Sequence, residues 1–203
     1  MIVKLTLSVA LRSRRRRHTF NRHLVTRSNV VGAFAFFLAT VAAPAQAQRS
    51  AWIGVGATPP AGDSKEAIKT GWLLDVGVAQ PLGASKFALQ AGGLFGSNSA
   101  KVGDGSSTLL GAMVNIIYGT GFQAKLGWYA YAGGGFLNLK PDAGEWKTHG
   151  AFQMGAGLSR QLNAKHDLWA EVRYLGAGQG IDFELTLMPI TVGITRLFGP
   201  RQN

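Results

Sequence analysis

A chain of 203 residues has room for one domain of ordinary size, and a formal charge of +11 invites a nucleic-acid reading. Position argues against it. Eight of the 21 Lys and Arg residues lie before residue 28, where no acidic residue stands, and from Gln48 onward 13 basic against 10 acidic residues leave only +3. The absence of cysteine excludes disulfides, thiol catalysis and thiolate metal sites.

The first element is a leader. Arg27 precedes an apolar run from Val30 to Ala43, 14 residues long and short for a spanning helix. Ala45-Gln46-Ala47 then offers the small residues of a signal-peptidase site, with cleavage predicted before Gln48. Residues 1–47 are thus read as signal peptide and basic leader, and 48–203 as the folded body. Arg14 to Arg17 has the arginines of a twin-arginine signal without a close apolar follow-on, and initiation nearer Val25 would give the leader normal proportions.

The body holds 27 of the 28 glycines, which penalises a helical bundle at about 1 kcal/mol per interior site. Period-2 segments recur between clusters of Gly, Pro, Asp, Asn and Ser. Eight strands are predicted: Ala51–Ala57, Gly71–Ala79, Phe87–Phe95, Thr108–Tyr118, Leu126–Leu137, Gly150–Ser159, Leu168–Leu175 and Leu187–Phe198. The links after strands 1, 3, 5 and 7 (58–70, 96–107, 138–149 and 176–184) read as mostly longer than those after 2, 4 and 6. An even strand number with alternating long and short links is the layout of an up-and-down membrane barrel.

Parity sharpens this. Trp72, Leu74, Val76 and Val78 share a face opposite Leu73, Asp75, Gly77 and Ala79. Leu168, Ala170, Val172 and Tyr174 oppose Trp169, Glu171, Arg173 and Leu175, and Ile190, Val192, Ile194 and Phe198 oppose Thr191, Gly193 and Thr195. One face is bulky and apolar, the other small or polar. A soluble, lipocalin-like barrel would turn the apolar face inward, whereas a membrane barrel turns it to lipid. The second face has few Lys or Glu residues and many glycines, as the narrow interior of an eight-stranded barrel requires.

On the outward parity, Trp72, Phe95, Phe136 and Tyr174 fall toward the long links, and Phe87, Tyr118, Trp128 and Phe198 toward the short turns or the C-terminus. Phe87 to Phe95 spans roughly 20 Å of membrane normal at about 3.3 Å per residue and a tilt near 40°. That suits an apolar band of ~25 Å between two aromatic girdles. Arg196 shares this parity and is tolerable only near the interface, at about 0–1 kcal/mol.

The segment Pro189-Ile190-Thr191-Val192-Gly193-Ile194-Thr195-Arg196-Leu197-Phe198 resembles the C-terminal strand of bacterial outer-membrane barrels, although Gly199 to Asn203 follow the phenylalanine. Trp169-Ala170-Glu171-Val172-Arg173-Tyr174 resembles a penultimate strand of small OmpA-like and OmpX-like barrels. The resemblance implies an all-β, eight-stranded antiparallel up-and-down transmembrane barrel in the bacterial outer membrane, with termini periplasmic and four loops outward. It also implies that the last strand is read by the barrel-assembly machinery. Outer-membrane lipid and lipopolysaccharide are the expected surroundings, the chain is expected to be a monomer, and no nucleic acid is an expected partner.

The inward parity collects Asp75, Gln90, Asn115, Gln153, Glu171 and Arg173, with Tyr129, Tyr131, Thr191 and Thr195. Buried charges must be mutually satisfied, so Arg173 is expected to pair with Asp75 or Glu171 in a sealed polar core. The alternative is a narrow channel past the same residues. A lipid-modifying enzyme would need a Ser–His–acid constellation, which His149 (in or beside the third long link) and His166 (in a turn) do not supply. No catalytic residue, cofactor or metal site is expected: Asp104-Gly105 and Asp142-Ala143-Gly144 suit turns. The expected role is structural or one of surface interaction.

Overall fold

Alternation of branched or aromatic residues with glycine and small polar residues drives the body into long paired strands, each able to bury one face only. The computed structural model describes residues 49–199 except 84, 121–123, 143, 180 and 181. The expected leader with its cleavage site and Arg14 to Arg17, the turn residue Ala143 and the tail beyond Gly199 lie outside the described residues. The strands are β1 (Arg49–Thr58), β2 (Gly71–Pro81), β3 (Phe87–Ser99), β4 (Ser106–Gly119), β5 (Leu126–Pro141), β6 (Lys147–Gln161), β7 (His166–Gln179), β8 (Asp182–Leu187) and β9 (Ile190–Phe198). One short helix, α1 (Ser64–Ala67), interrupts the link between β1 and β2.

Every neighbouring pair is antiparallel, and the sheet closes on itself. β1 pairs with β2 on one side and with β9 on the other, where Arg49 stands opposite Phe198 and Ala57 opposite Ile190. β9 and β8 both pair with β7, and β7 with β6. The architecture is a closed, eight-stave up-and-down barrel, as the periodicity predicts.

Its eighth stave is in two pieces. Proline at 189 has no N–H to give the ladder, and β8 ends at Leu187 before β9 resumes at Ile190. The wall stays continuous because the amide of Arg173 donates to the carbonyl of Pro189 at 3.0 Å. The expected strand Leu187–Phe198 is therefore corrected near its start, where Met188 and Pro189 separate β9 from β8.

The expected contrast in link length also needs correction. β3 runs to Ser99, β4 starts at Ser106, β5 runs to Pro141 and β6 starts at Lys147. Outside the first long link, most residues assigned to such links are strand, because paired backbones continue their ladder past the apolar band. His149, expected in or beside the third long link, is a buried residue of β6 opposite Leu137.

The exception is the link between β1 and β2. These staves are the shorter ones, and residues 59–70 fill the gap they leave. The Met188 amide donates to the Pro59 carbonyl at 2.8 Å and the Ala61 amide to Thr186 at 2.9 Å, while the Thr186 amide donates to Ser64 Oγ at 2.9 Å. On the far side the Lys69 amide donates to the Ser99 carbonyl at 2.8 Å, and Asn98 Nδ2 donates to the carbonyls of Thr58 and Lys69 at 3.1 and 3.0 Å. The link thus spans β8 and β3.

The inner face differs along the barrel axis. Toward the loops it is apolar: Leu73, Leu94, Leu109, Met113, Leu137, Leu175 and Leu187 form one buried cluster. The inner face is thus not merely small or polar. Its glycines serve close packing in the lower half: a Cβ at Gly193 would meet the indole of Trp169, and one at Gly77 would meet Trp52.

Candidate functional site

Two surfaces carry the chemistry: the interior and the outer wall. At the centre of the interior is Arg173 on β7, whose side chain is 2% exposed. Its Nη2 donates to Asp75 Oδ2 from β2, pairs with Glu171 Oε1 at 2.7 Å and reaches Thr191 Oγ1 at 3.4 Å. Its Nη1 donates to Gln153 Oε1 at 3.4 Å. The chain continues through Gln153 Nε2 to Asn115 Oδ1 at 2.9 Å, and from Asn115 Nδ2 to Gln90 Oε1 at 2.7 Å. Glu171 accepts from both tyrosines, Tyr129 to Oε2 and Tyr131 to Oε1, each at 2.9 Å.

All six residues of the expected interior cluster therefore stand in one hydrogen-bonded network, with both carboxylates on the same guanidinium. Alternate residues along β7 point the same way, which puts Glu171 and Arg173 side by side. Closure of the barrel brings Asp75 to them from β2. A charge-assisted network of this kind meets the requirement that buried charge be paired.

Sequence reasoning left two tryptophans out of this cluster. Trp52 Nε1 donates to Asp75 Oδ1 at 3.4 Å, and Trp169, buried on the parity of Glu171 and Arg173, packs against Gly54 and Gly193. The parity of Trp169 held that signal. A void of about 60 Å³ is lined by Asp75, Thr195, Tyr131, Glu171, Arg173 and Trp169, among others. Its lining is mixed, with Leu94, Met113 and Ile117 beside the polar groups, and its size admits water molecules. Arg173 Nε and Trp169 Nε1 are buried without a protein partner, the kind of donors such water satisfies.

The outer wall is the reverse. Ile53, Val55, Val76, Val114, Ile116, Leu158, Val192 and Ile194 are all exposed, at 40 to 61% of their surface. Register joins them around the barrel: Val55 stands between Leu74 and Val192, Ile116 between Leu89 and Ala132. Trp72 and Val76 point outward, opposite to what a soluble barrel with an apolar inner face needs.

Aromatic residues stand at both borders of this belt. Trp72 meets Phe95 edge to face at 5.3 Å on the loop side. On the turn side Phe87 lies 4.9 Å from Tyr118, and Tyr118 5.7 Å from Trp128. Phe136 and Tyr174 are half-buried on the same outer face, opposite Gly150 and Met154, and Phe198 lies beneath the guanidinium of Arg196 at 5.6 Å. Arg196 stands in the outermost pair of the β7–β9 register, opposite His166 at the start of β7 and two residues before β9 ends, so it is at the border and not within the belt.

The turn residue His166 is fixed locally: Asn163 Oδ1 accepts from the amides of Lys165 and His166 at 2.9 and 3.0 Å and lies 3.1 Å from His166 Nδ1. Among the described residues, no three His, Cys, Asp or Glu side chains are grouped to hold a metal ion. On the loop side Asp142 accepts from the amide of Ser106 at 2.6 Å and from its hydroxyl at 2.7 Å, which holds its carboxyl below the usual carboxylate range.

No protein-family model matches the chain, and no curated protein matches it in sequence. Solved structures match its fold. Neisserial surface protein A is similar over 74% of this chain and 97% of its own, with a TM-score of 0.58 and 15% identity. The outer membrane protein OprG from Pseudomonas aeruginosa covers 75% of this chain and 96% of its own, with a TM-score of 0.56 and 11% identity. Ail, the attachment invasion locus protein of Yersinia pestis, covers 75% and 99%, with a TM-score of 0.51 and 13% identity. The chain has the fold of these small eight-stranded barrels.

Proposed function

We propose that the body of this chain is an integral protein of the bacterial outer membrane, exported by its leader, with a sealed interior and a structural or surface-interaction role. The observation that carries this reading is the inversion of polarity. The wall that faces outward is a closed apolar belt bordered by aromatic residues, and the charges are held inside. Soluble monomers rarely expose contiguous apolar patches beyond a few hundred Å², whereas lipid requires such a surface and a sheet without edges. The likeness in fold to an outer membrane protein and to a surface protein supports the same reading.

The loops then face outward, where lipopolysaccharide and external surfaces are their partners, and β9 is the strand read by the assembly machinery. An interior filled by the Arg173 network and capped by the leucine cluster favours a plug over a channel. The test is migration on gels of unheated and heated samples from membrane fractions. A folded band that shifts on heating and needs detergent for extraction is expected. Recovery of the folded protein in the soluble periplasm without detergent would overturn the reading, and steady conductance of the unaltered chain in planar bilayers would overturn the plug.

A further inference from the structure

Charge is distributed unequally between the two ends of the barrel. At the turn end each connection hands over to the next strand through a lysine: Lys86 before Phe87, Lys125 before Leu126 and Lys165 before His166. Arg160 near the end of β6 and Arg196 in β9 join them, and all five are exposed. The acidic residue within these connections and strand ends is Asp167, which is buried and lines the interior void. The loop end is mixed: Asp63, Lys65 and Glu66 stand together, as do Lys101 and Asp104. One rim therefore attracts anions and the other does not.

Above the basic rim the outer wall is hollowed. A groove of about 430 Å³ is lined by Leu126, Leu158, Arg160, Leu168, Ala170 and Val192. The hollow exists because Ala170 stands between Leu158 on β6 and Val192 on β9, a methyl group in a row of branched side chains. Arg160 lies opposite Leu168 and Arg196 opposite His166, so the two arginines flank β7. Strand spacing and rise put their Cα atoms roughly 12 Å apart, within joint reach of one anion for two such long side chains. Arg196 is held against the wall by Phe198. A guanidinium offers the planar pair of donors that fits a phosphate.

We propose that the wall of β6, β7 and β9 binds an anionic phospholipid of the leaflet level with the turns, an acyl chain lying in the groove and the phosphate held between Arg160 and Arg196. The proposal rests on the membrane reading above. It accounts for Arg196, a charge on the outward parity, and for the three turn lysines as a ring that concentrates anionic headgroups within a Debye length of the rim.

The reporter is Trp128, exposed on the outer wall opposite Leu158. The full chain without its leader is folded into phosphatidylcholine vesicles with a small, equal fraction of either brominated phosphatidylglycerol or brominated phosphatidylcholine. Quenching by the anionic lipid is expected to exceed that by the zwitterionic one, with a relative association of roughly fivefold that declines at high salt. Replacing Trp128→Phe should remove the selective part. Arg160→Gln with Arg196→Gln should bring the ratio to about one, while Lys140→Gln with Lys147→Gln at the other end should leave it unchanged. Equal quenching by both lipids in the unaltered chain, or a ratio indifferent to salt, overturns the site even if a variant fails to fold. A chain that never enters the vesicles overturns the membrane reading itself; one that enters without selectivity overturns only the lipid site.

Discussion

Arg173 on β7 and Asp75 on β2, which are not neighbours in the sheet, are joined by an ion pair across the barrel interior. The pair ties opposite parts of the wall together, and Glu171 adds a second carboxylate to the same guanidinium.

Removing the guanidinium leaves two carboxylates buried together. Arg173→Met is expected to destabilise the folded barrel by about 3–5 kcal/mol, read as a fall in the urea midpoint in lipid vesicles. Adding Asp75→Asn and Glu171→Gln should recover most of that loss, because the uncompensated charge is then gone.

The wall discriminates between lipid and water as its surroundings. Val114 is 52% exposed midway along β4, and Val114→Arg should cost about 2–4 kcal/mol in a bilayer. In water the same change would be worth within about 0.5 kcal/mol. Refolding yield and unfolding midpoint in vesicles decide between the two.

Asn98 is buried and serves both ends of the β1–β2 link, accepting from Thr58 Oγ1 at 3.2 Å while donating to two carbonyls. Asn98→Ala should cost about 1–3 kcal/mol through the groups left unpaired. It should also hasten tryptic cleavage at the exposed Lys65 and Lys69 without altering heat-modifiable migration.

Asp142 titrates low because its carboxylate accepts two hydrogen bonds from Ser106. A depressed folded-state value means that this clasp is at full strength above the unfolded carboxylate range, near 3.9, and is lost as pH falls through the lower folded value. Exchange of the Ser106 amide, compared at equal intrinsic rates, should be slow at pH 6 and faster below that window. In Asp142→Asn this acid dependence should be absent.

Eight staves, their antiparallel order and the face each side chain takes are legible in the residues alone, since a period of two is written into every strand and one shifted residue would reverse it. The same period selected Asp75, Gln90, Asn115, Gln153, Glu171 and Arg173 as inward. It did not reveal that both carboxylates converge on Arg173, because Asp75 lies 98 positions away and only closure of the barrel brings β2 to β7. Tertiary structure alone decided the break at Pro189, the stitching of residues 59–70 between β8 and β3, and the leucine cap above the polar network. Those features depend on which staves end early and which neighbours remain to be paired, and local periodicity carries no record of either.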